Sequence, residues 1–463
     1  MKITPRSVRI IIGVVLALGF ASPRLRADDL GFHEAGARAA ALGGAFTARA
    51  DDTSSLFSNP AGLAFLGGIQ IMTNMRFGSR SLDATKPSGG LSYTSSPYEI
   101  GGAHAVSWQF LKRVTLGIGI FSPYSFQAEW PATWDARTIS ITSQLKSRYF
   151  RSALAVELVK GLAVSVGVDI VSASLEWRHD ILFNLETYPL PSDAYVSSRH
   201  SAAGHGLGFV AGALWKISPA VRVGAAYQSP VAIDHAGQNI FAIGRDMAYT
   251  PVPDPYGGSI IVSRLLDMIF RPQDVTGRLA FPRQISFGVA WRPLLRLSVT
   301  ADVQWDRWSR FGDWVFRSVN EGGELSPDFG PVYQEFYGYT PDYGAQGVPL
   351  ALKDTIKIQA GLEFHFARYL ALRTGFARHE SSLDADTRTP VYPDLDRTLY
   401  SLGFGYEGPV FSIYDDTERV SDLSFDLFVR YASAKAGESV FPGLDLSFGS
   451  NRVVFGVGVG FAF

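Results

Sequence analysis

The chain has 463 residues, 42 Lys and Arg against 43 Asp and Glu, and no cysteine. This excludes disulfides, thiolate catalysis and lipid attachment through sulfur, and a net charge of -1 leaves no basic surface for nucleic acid. Hydrophobic residues make up 46% of the chain but the mean hydropathy is only +0.08, which argues against a bundle of membrane helices and suits strands that alternate apolar and polar positions in lipid.

The only long apolar run, Ile10 to Phe20, is too short for a span of about 20 residues and follows Lys2, Arg6 and Arg9. It reads as a secretory signal peptide within residues 1–27, cleaved somewhere between Ala21 and Ala27. Residues 28–66 are small and Gly-rich, with Ala39-Ala40-Ala41-Leu42-Gly43-Gly44-Ala45 between Glu34 and the pair Asp51-Asp52. An Ala-rich helix of a soluble domain is the plain alternative, which the repeated glycines disfavour. The expectation is an insert that packs inside something else. It ends in Asn59-Pro60-Ala61, where Asn59 is a good helix N-cap and Pro60 fits the first helical position.

From about residue 67 to 463 the period changes to two, the strand signal. In the last strand Val453, Phe455, Val457, Val459, Phe461 and Phe463 share one face, opposite Val454, Gly456, Gly458, Gly460 and Ala462. The same alternation places Val114, Leu116, Ile118 and Ile120 against Thr115, Gly117 and Gly119, and Ile285, Phe287, Val289 and Trp291 against Ser286, Gly288, Ala290 and Arg292. A terminal Phe on such a strand suits an outer-membrane barrel that the barrel-assembly machinery recognises. Short turns near Lys112-Arg113, Lys160-Gly161, Ser218-Pro219, Pro293-Leu294 and Ala367-Arg368 alternate with long loops at 79–100, 122–146, 179–199, 236–280, 311–349 and 380–396. This predicts an all-β transmembrane antiparallel barrel of about 14 strands, with an N-terminal plug inside. A soluble sandwich or propeller also has period-two strands, but needs neither export nor long loops gathered at one end. Trp177, Tyr227, Trp291 and Trp305 suit aromatic girdles.

One strand changes phase. From Val164 to Ile170 the even positions are apolar, and from Val171 to Trp177 the odd ones are. A β-bulge near Ile170-Val171 would account for this and would turn Glu176 and Arg178 into the lumen. Parity from Ile356, Ile358, Ala360 and Leu362 likewise assigns Lys353 to the lumen. For each cation the plain alternative is a pair with an inward acid, Glu176 or Asp354.

At this point the chain resembles the FadL-type family of outer-membrane transporters for long-chain fatty acids and other hydrophobic compounds. The resemblance rests on Ala50-Asp51-Asp52 with Asn59-Pro60-Ala61, Gly117 to Tyr124, Asp302 to Ser309, Leu352-Lys353-Asp354, Leu372-Arg373-Thr374-Gly375 and Pro393 to Arg397, in that order. It implies a fourteen-stranded barrel closed by a hatch that includes Asp51, Asp52, Asn59, Pro60 and Ala61. It also implies passive uptake and a kinked third strand that opens a side portal. Gly117, Gly119 and Pro123 supply material for that kink, although inward glycines could equally make room for the hatch. Arg178 and Lys353 match positions at which the family places basic residues near the ligand head group. The implied partners are a long-chain fatty acid or other hydrophobic small molecule, and outer-membrane lipid and lipopolysaccharide. The protein is expected to be a monomer without cofactor or metal.

Two alternatives remain. A general diffusion porin would share the barrel but not the plug. An outer-membrane lipid hydrolase would need Ser, His and an acid together, whereas His200 and His205 fall on opposite faces of one strand and His365, beside Glu363, reads as a hydrogen-bonded interior residue. No phosphate loop or metal motif is present.

Overall fold

The computed structural model describes residues 35–86, 92–95, 98–182, 195–243, 272–319, 345–411, 419–439 and 446–463, with short pieces at 251–253, 258–261, 263–264 and 270. The expected signal peptide and residues 28–34 lie outside the described residues. The chain forms a closed antiparallel barrel of fourteen strands. These are β1 (Ile69–Thr85), β2 (Tyr98–Leu111), β3 (Val114–Phe121, resumed as Ser125–Glu129), β4 (Thr142–Val159) and β5 (Leu162–Leu182). They continue with β6 (Tyr195–Lys216), β7 (Val221–Gln228, resumed as Val231–Ile243), β8 (Gln273–Phe281, resumed as Arg283–Leu294), β9 (Leu297–Arg307) and β10 (Thr355–Ala367). The last four are β11 (Leu370–His379), β12 (Arg397–Phe411), β13 (Arg419–Ser439) and β14 (Leu446–Ala462). β1 closes on β14 from Gln70↔Ala462 to Thr85↔Ser447. Closure joins the first strand to the last, and so removes the free sheet edges whose backbone groups lipid could not satisfy.

The outward face of the belt is apolar because β-branched and aromatic residues alternate with small ones. Phe287 and Leu207 expose 61% and 71% of their surface, as suits side chains whose solvent is lipid. Tight turns after β2, β4, β6, β8 and β10 share one end with Ile69 and Phe463, whose backbones bond each other at 3.2 and 2.9 Å. At the other end the strands outrun the bilayer: β5 has 21 residues and β6 has 22, against about 9–11 for one crossing. Several of the predicted long loops are therefore partly strand. Residues 314–318 pair with 345–348 as a hairpin, and strand pairing continues to Thr85, Leu182 and Ile243.

The predicted bulge is absent. β5 runs in unbroken register with β6 from Leu162↔Trp215 to Leu182↔Tyr195, and with β4 through Ile170↔Phe150 and Val171↔Tyr149. Odd positions stay buried throughout, so Val171, Leu175 and Trp177 point inward. The apolar phase changes because both solvents change. Above Ile170 the outside is water or headgroups, and the inside is an apolar cluster. Glu176 and Arg178 therefore lie on the outer face, and Trp177 belongs to no girdle.

Residues 35–66 fill the end of the barrel that carries the tight turns. They form a short helix α1 (Ala37–Ala41), a second helix α2 (Ser55–Ser58) and a 3-10 turn at Pro60–Phe65. Most of these residues are buried and none is exposed, which a five-residue helix without a side-chain cap needs, since its own propensity cannot hold it. Barrel groups satisfy the segment's backbone instead: Ala37 N donates to Asn74 Oδ1 at 2.9 Å, Thr47 N donates to Asp302 Oδ2 at 2.6 Å, and Ala40 O accepts from Arg430 at 2.7 Å.

Candidate functional site

The lumen is layered. At the turn end, Glu363 on β10 receives Arg38 at 2.9 Å, Arg49 at 2.5 Å and Arg373 at 2.7 Å, while Asp51 pairs with Arg49 at 2.7 Å and Arg38 at 3.4 Å. Three guanidinium groups around one buried carboxylate bind the inner segment to the wall, and each charge has a partner, which burial demands. Asp52 caps the turn before α2, accepting from Ser54 N at 2.7 Å. Burial pushes its carboxyl up to about 6, against the opposing pull of Arg38. His365 lies 3.1 Å from Glu363, a hydrogen-bonded neighbour of the ion network.

Asn59 ties the inner segment to β6. Its Oδ1 accepts from Ala61 N at 3.2 Å, as a cap should, and Pro60 opens the turn. Its Nδ2 also donates to Thr47 O at 2.8 Å and to Ala213 O at 3.0 Å. Parity and capping rules find the first contact but not the other two, which join parts of the chain 12 and 154 residues apart.

Gly117 and Gly119 face this segment. A Cβ on Gly117 would meet Leu63 Cδ1 at 2.5 Å, and one on Gly119 would meet Leu56 and Phe57 at 2.8 Å. Of the two readings open for these glycines, the close approach is the one with contacts behind it. The interruption of β3 lies beyond them, between Phe121 and Ser125, at Ser122-Pro123-Tyr124. Before it, β3 pairs with both β2 and β4. After it, Ser125–Glu129 pairs with β4 only, and among the described residues no ladder joins it to β2. Pro123 lacks a backbone donor and suits the break.

Above the inner segment lies a polar layer. Arg151 binds Asp169 at 2.7 Å and donates to Phe57 O at 3.1 Å, and Lys357 pairs with Asp306 at 2.7 Å. Beyond it, the outer half of the lumen is apolar and aromatic. Tyr124, turned inward by the break in β3, stacks on Phe281 at 4.8 Å and meets Trp308 edge-on at 5.6 Å. Phe126, Trp130, Trp134, Phe311, Trp314, Phe448 and others extend the cluster, and Phe57 reaches it from below through Phe121 at 4.5 Å.

The two predicted head-group cations are elsewhere. Arg178 donates to Ser197 Oγ at 3.0 Å on the outer face. Its neighbour Glu176 pairs with Arg199 at 2.9 Å. Lys353 precedes β10, where strand parity no longer holds, and its exposed amine pairs with Asp384, not Asp354. A cluster that sequence reasoning missed does point inward. Arg80 on β1 and Arg452 on β14 are direct cross-strand partners, both buried, and with Arg397 they line a cavity of about 20 Å³ beside Leu82, Leu395 and Ala434. Like charges opposite one another on a sheet repel; here Arg80 donates to Gln127 O, and Arg397 pairs with Asp394. Parity would have found Arg80 and Arg452, since Phe77 and Phe455 face outward on the same strands.

The model of the family described as outer membrane protein transport protein (OMPP1/FadL/TodX) matches residues 29–463. The chain belongs to this family. Among solved structures, this OMPP1/FadL/TodX member superposes on a Pseudomonas aeruginosa FadL homologue with a TM-score of 0.73 at 18% identity, covering 95% of this chain and 99% of that one. It is similar to the Pseudomonas putida toluene transporter TodX with a TM-score of 0.66 at 17% identity, covering 94% and 99% of the two chains. At such identities the likeness concerns the fold. Outer membrane protein P1 of Haemophilus influenzae is 21% identical over 319 residues, 64% of this chain, and the match spans 60% of that protein's length. The protein is an outer-membrane barrel of a transport family.

Proposed function

We propose that this barrel takes hydrophobic molecules, long-chain fatty acids among them, from outside into the aromatic outer lumen and releases them sideways into the membrane at the break in β3. Residues 35–66 act as the hatch that keeps the lumen closed to ions. The observation that carries the reading is the contiguous apolar cluster inside the barrel, from Leu82 and Tyr124 to Phe448, where a water-filled pore would have polar walls. Arg80 and Arg452 at its margin suit a carboxylate head, which guanidinium groups bind through paired donors, while the tail lies against the aromatics. The likeness to the toluene transporter TodX supports an apolar cargo. The lack of a ladder to β2 beyond Phe121 among the described residues supports the lateral exit. Transport of this kind is passive and involves no catalysis. Arg148, Arg178 and Arg199 on the outer face, above Phe150, Ile170 and Leu207, would face the phosphorylated headgroups of lipopolysaccharide. Phe463 would be read by the assembly machinery, and the closed barrel needs no second copy.

The test is ligand binding to the purified barrel with Arg80→Met and Arg452→Met together. Affinity for a long-chain fatty acid should fall at least tenfold, and affinity for the fatty alcohol of the same length should change less than twofold. Equal loss of both ligands would mean that the arginines shape the lumen and do not read charge.

A further inference from the structure

We infer that a second site, in the outer lumen between β5, β6 and β7, takes a small aromatic ring bearing a neutral hydrogen-bonding group, such as a phenol, and that Phe316 occupies the place of that ring in the structure described here. The inference rests on the transport reading for the ligand's way in, and adds a substrate class to it.

Trp177 and His200 are direct cross-strand partners on β5 and β6, with rings 5.2 Å apart and 20° from parallel. Asn239 on β7 is the next cross-strand partner of His200. Phe316, from the 314–318 hairpin strand, stacks on His200 at 4.8 Å, lies parallel to Trp177 at 6.3 Å and meets His235 edge-on at 5.7 Å. A phenyl group thus sits in an aromatic box that is 1% exposed at its own ring.

The walls of that box are not satisfied by a hydrocarbon. His179, His200, His235 and Asn239 are all at least nine-tenths buried. Even so, among the described residues, Nδ1 of His179, Nδ1 of His200 and Nδ2 of Asn239 have no hydrogen-bond partner, and His235 has only the Ile233 backbone beside its ring. The other atoms of the strip do have partners: His200 Nε2 meets Gln346 Oε1 at 2.9 Å and Ser198 Oγ at 3.2 Å, and Ser198 Oγ donates to Asn239 Oδ1 at 2.9 Å. Buried groups of this kind are almost always paired in native proteins, and three such side chains in one place call for a missing partner. Imidazole and carboxamide offer donors and acceptors without fixed charge. They match a hydroxyl or carbonyl, whereas carboxylates fall to the arginine corner. The ring of the ligand would replace the ring of Phe316, and its hydroxyl would reach the atoms that Phe316 cannot serve.

p-Cresol and p-xylene are nearly equal in size and differ by hydroxyl against methyl, so they isolate the polar contact. In the folded full-length barrel, Phe316→Ala should raise p-cresol affinity at least tenfold and leave p-xylene well behind. Adding His235→Phe and Asn239→Leu should bring p-cresol down to the p-xylene level. In the unmutated protein, p-cresol and not p-xylene should slow acylation of His200 and His235 by diethylpyrocarbonate, a readout independent of whether any variant folds. An unchanged p-cresol affinity in Phe316→Ala, or equal gains for both ligands, would overturn the inference. Fatty acid uptake by the same preparation separates the two claims. If uptake persists without a p-cresol preference, only the phenol site fails. If p-cresol binds but no hydrophobic cargo is taken up, the transport reading fails.

Discussion

Asn59 is the sharpest place to separate capping from anchoring. Asn59→Ala removes a cap worth about 1 kcal/mol and leaves Thr47 O and Ala213 O without their side-chain donor, at about 1–3 kcal/mol for each buried group. The sum is roughly 3–7 kcal/mol, above the 0.5–2 kcal/mol of a cap alone. Asn59→Asp keeps the capping oxygen, and capping scales rank Asp level with Asn. It also turns a second acceptor toward two carbonyl oxygens that now accept from Nδ2 at 2.8 and 3.0 Å. If the amide chiefly anchors, Asp should therefore be no better than Ala. Hydrogen exchange on the amides of residues 36–64 reads this directly. Both variants should lose protection about a hundredfold or more, while the barrel keeps its heat-modifiable gel migration. Wild-type protection in Asn59→Asp would refute the anchoring argument and return Asn59 to a simple cap.

Gly119→Val places new atoms against Leu56 and Phe57 and should loosen the inner segment, seen as conductance bursts in planar bilayers from a barrel that still assembles. Asp52 has its carboxyl raised by burial to about 6. Its contribution to holding the segment is therefore full below about 3.8 and lost as pH rises through 6. Protection factors around residues 52–58 should be higher at pH 5 than at pH 7.5, and Asp52→Asn should abolish the difference. Replacing Arg178 and Lys353 by Met together should leave fatty acid affinity within twofold, since neither reaches the lumen, as binding titrations can check.

The barrel was legible where one solvent lies on each side of the wall. Along Val114 to Ile120 and Ile285 to Trp291, lipid outside and small or polar neighbours inside make period two unambiguous. Above the belt the same rule misleads. At Ile170-Val171 an inserted residue and an exchange of solvents give the same sequence pattern, and only the register with β4 and β6 tells them apart. Lys353 shows the other limit, because parity carries no meaning beyond the first residue of a strand. Arg80 and Arg452 were readable in principle, being inward by parity on strands with clean outward aromatics, but their meeting depends on barrel closure. Phe316 lies in a stretch whose sequence reads as a loop, and its place against His200 and His235 is a long-range fact that no local pattern encodes. Asn59 was legible as a cap and invisible as an anchor, since its partners Thr47 and Ala213 are distant in sequence.

The central claim is that the lumen passes hydrophobic molecules while residues 35–66 keep it closed to ions. It is tested most directly on one preparation of proteoliposomes, by following uptake of a labelled long-chain fatty acid and recording ion conductance after fusion to a planar bilayer. The expected result is protein-dependent uptake with no steady open state. A large, steady, ohmic conductance without fatty acid uptake would contradict it and identify the barrel as a diffusion pore.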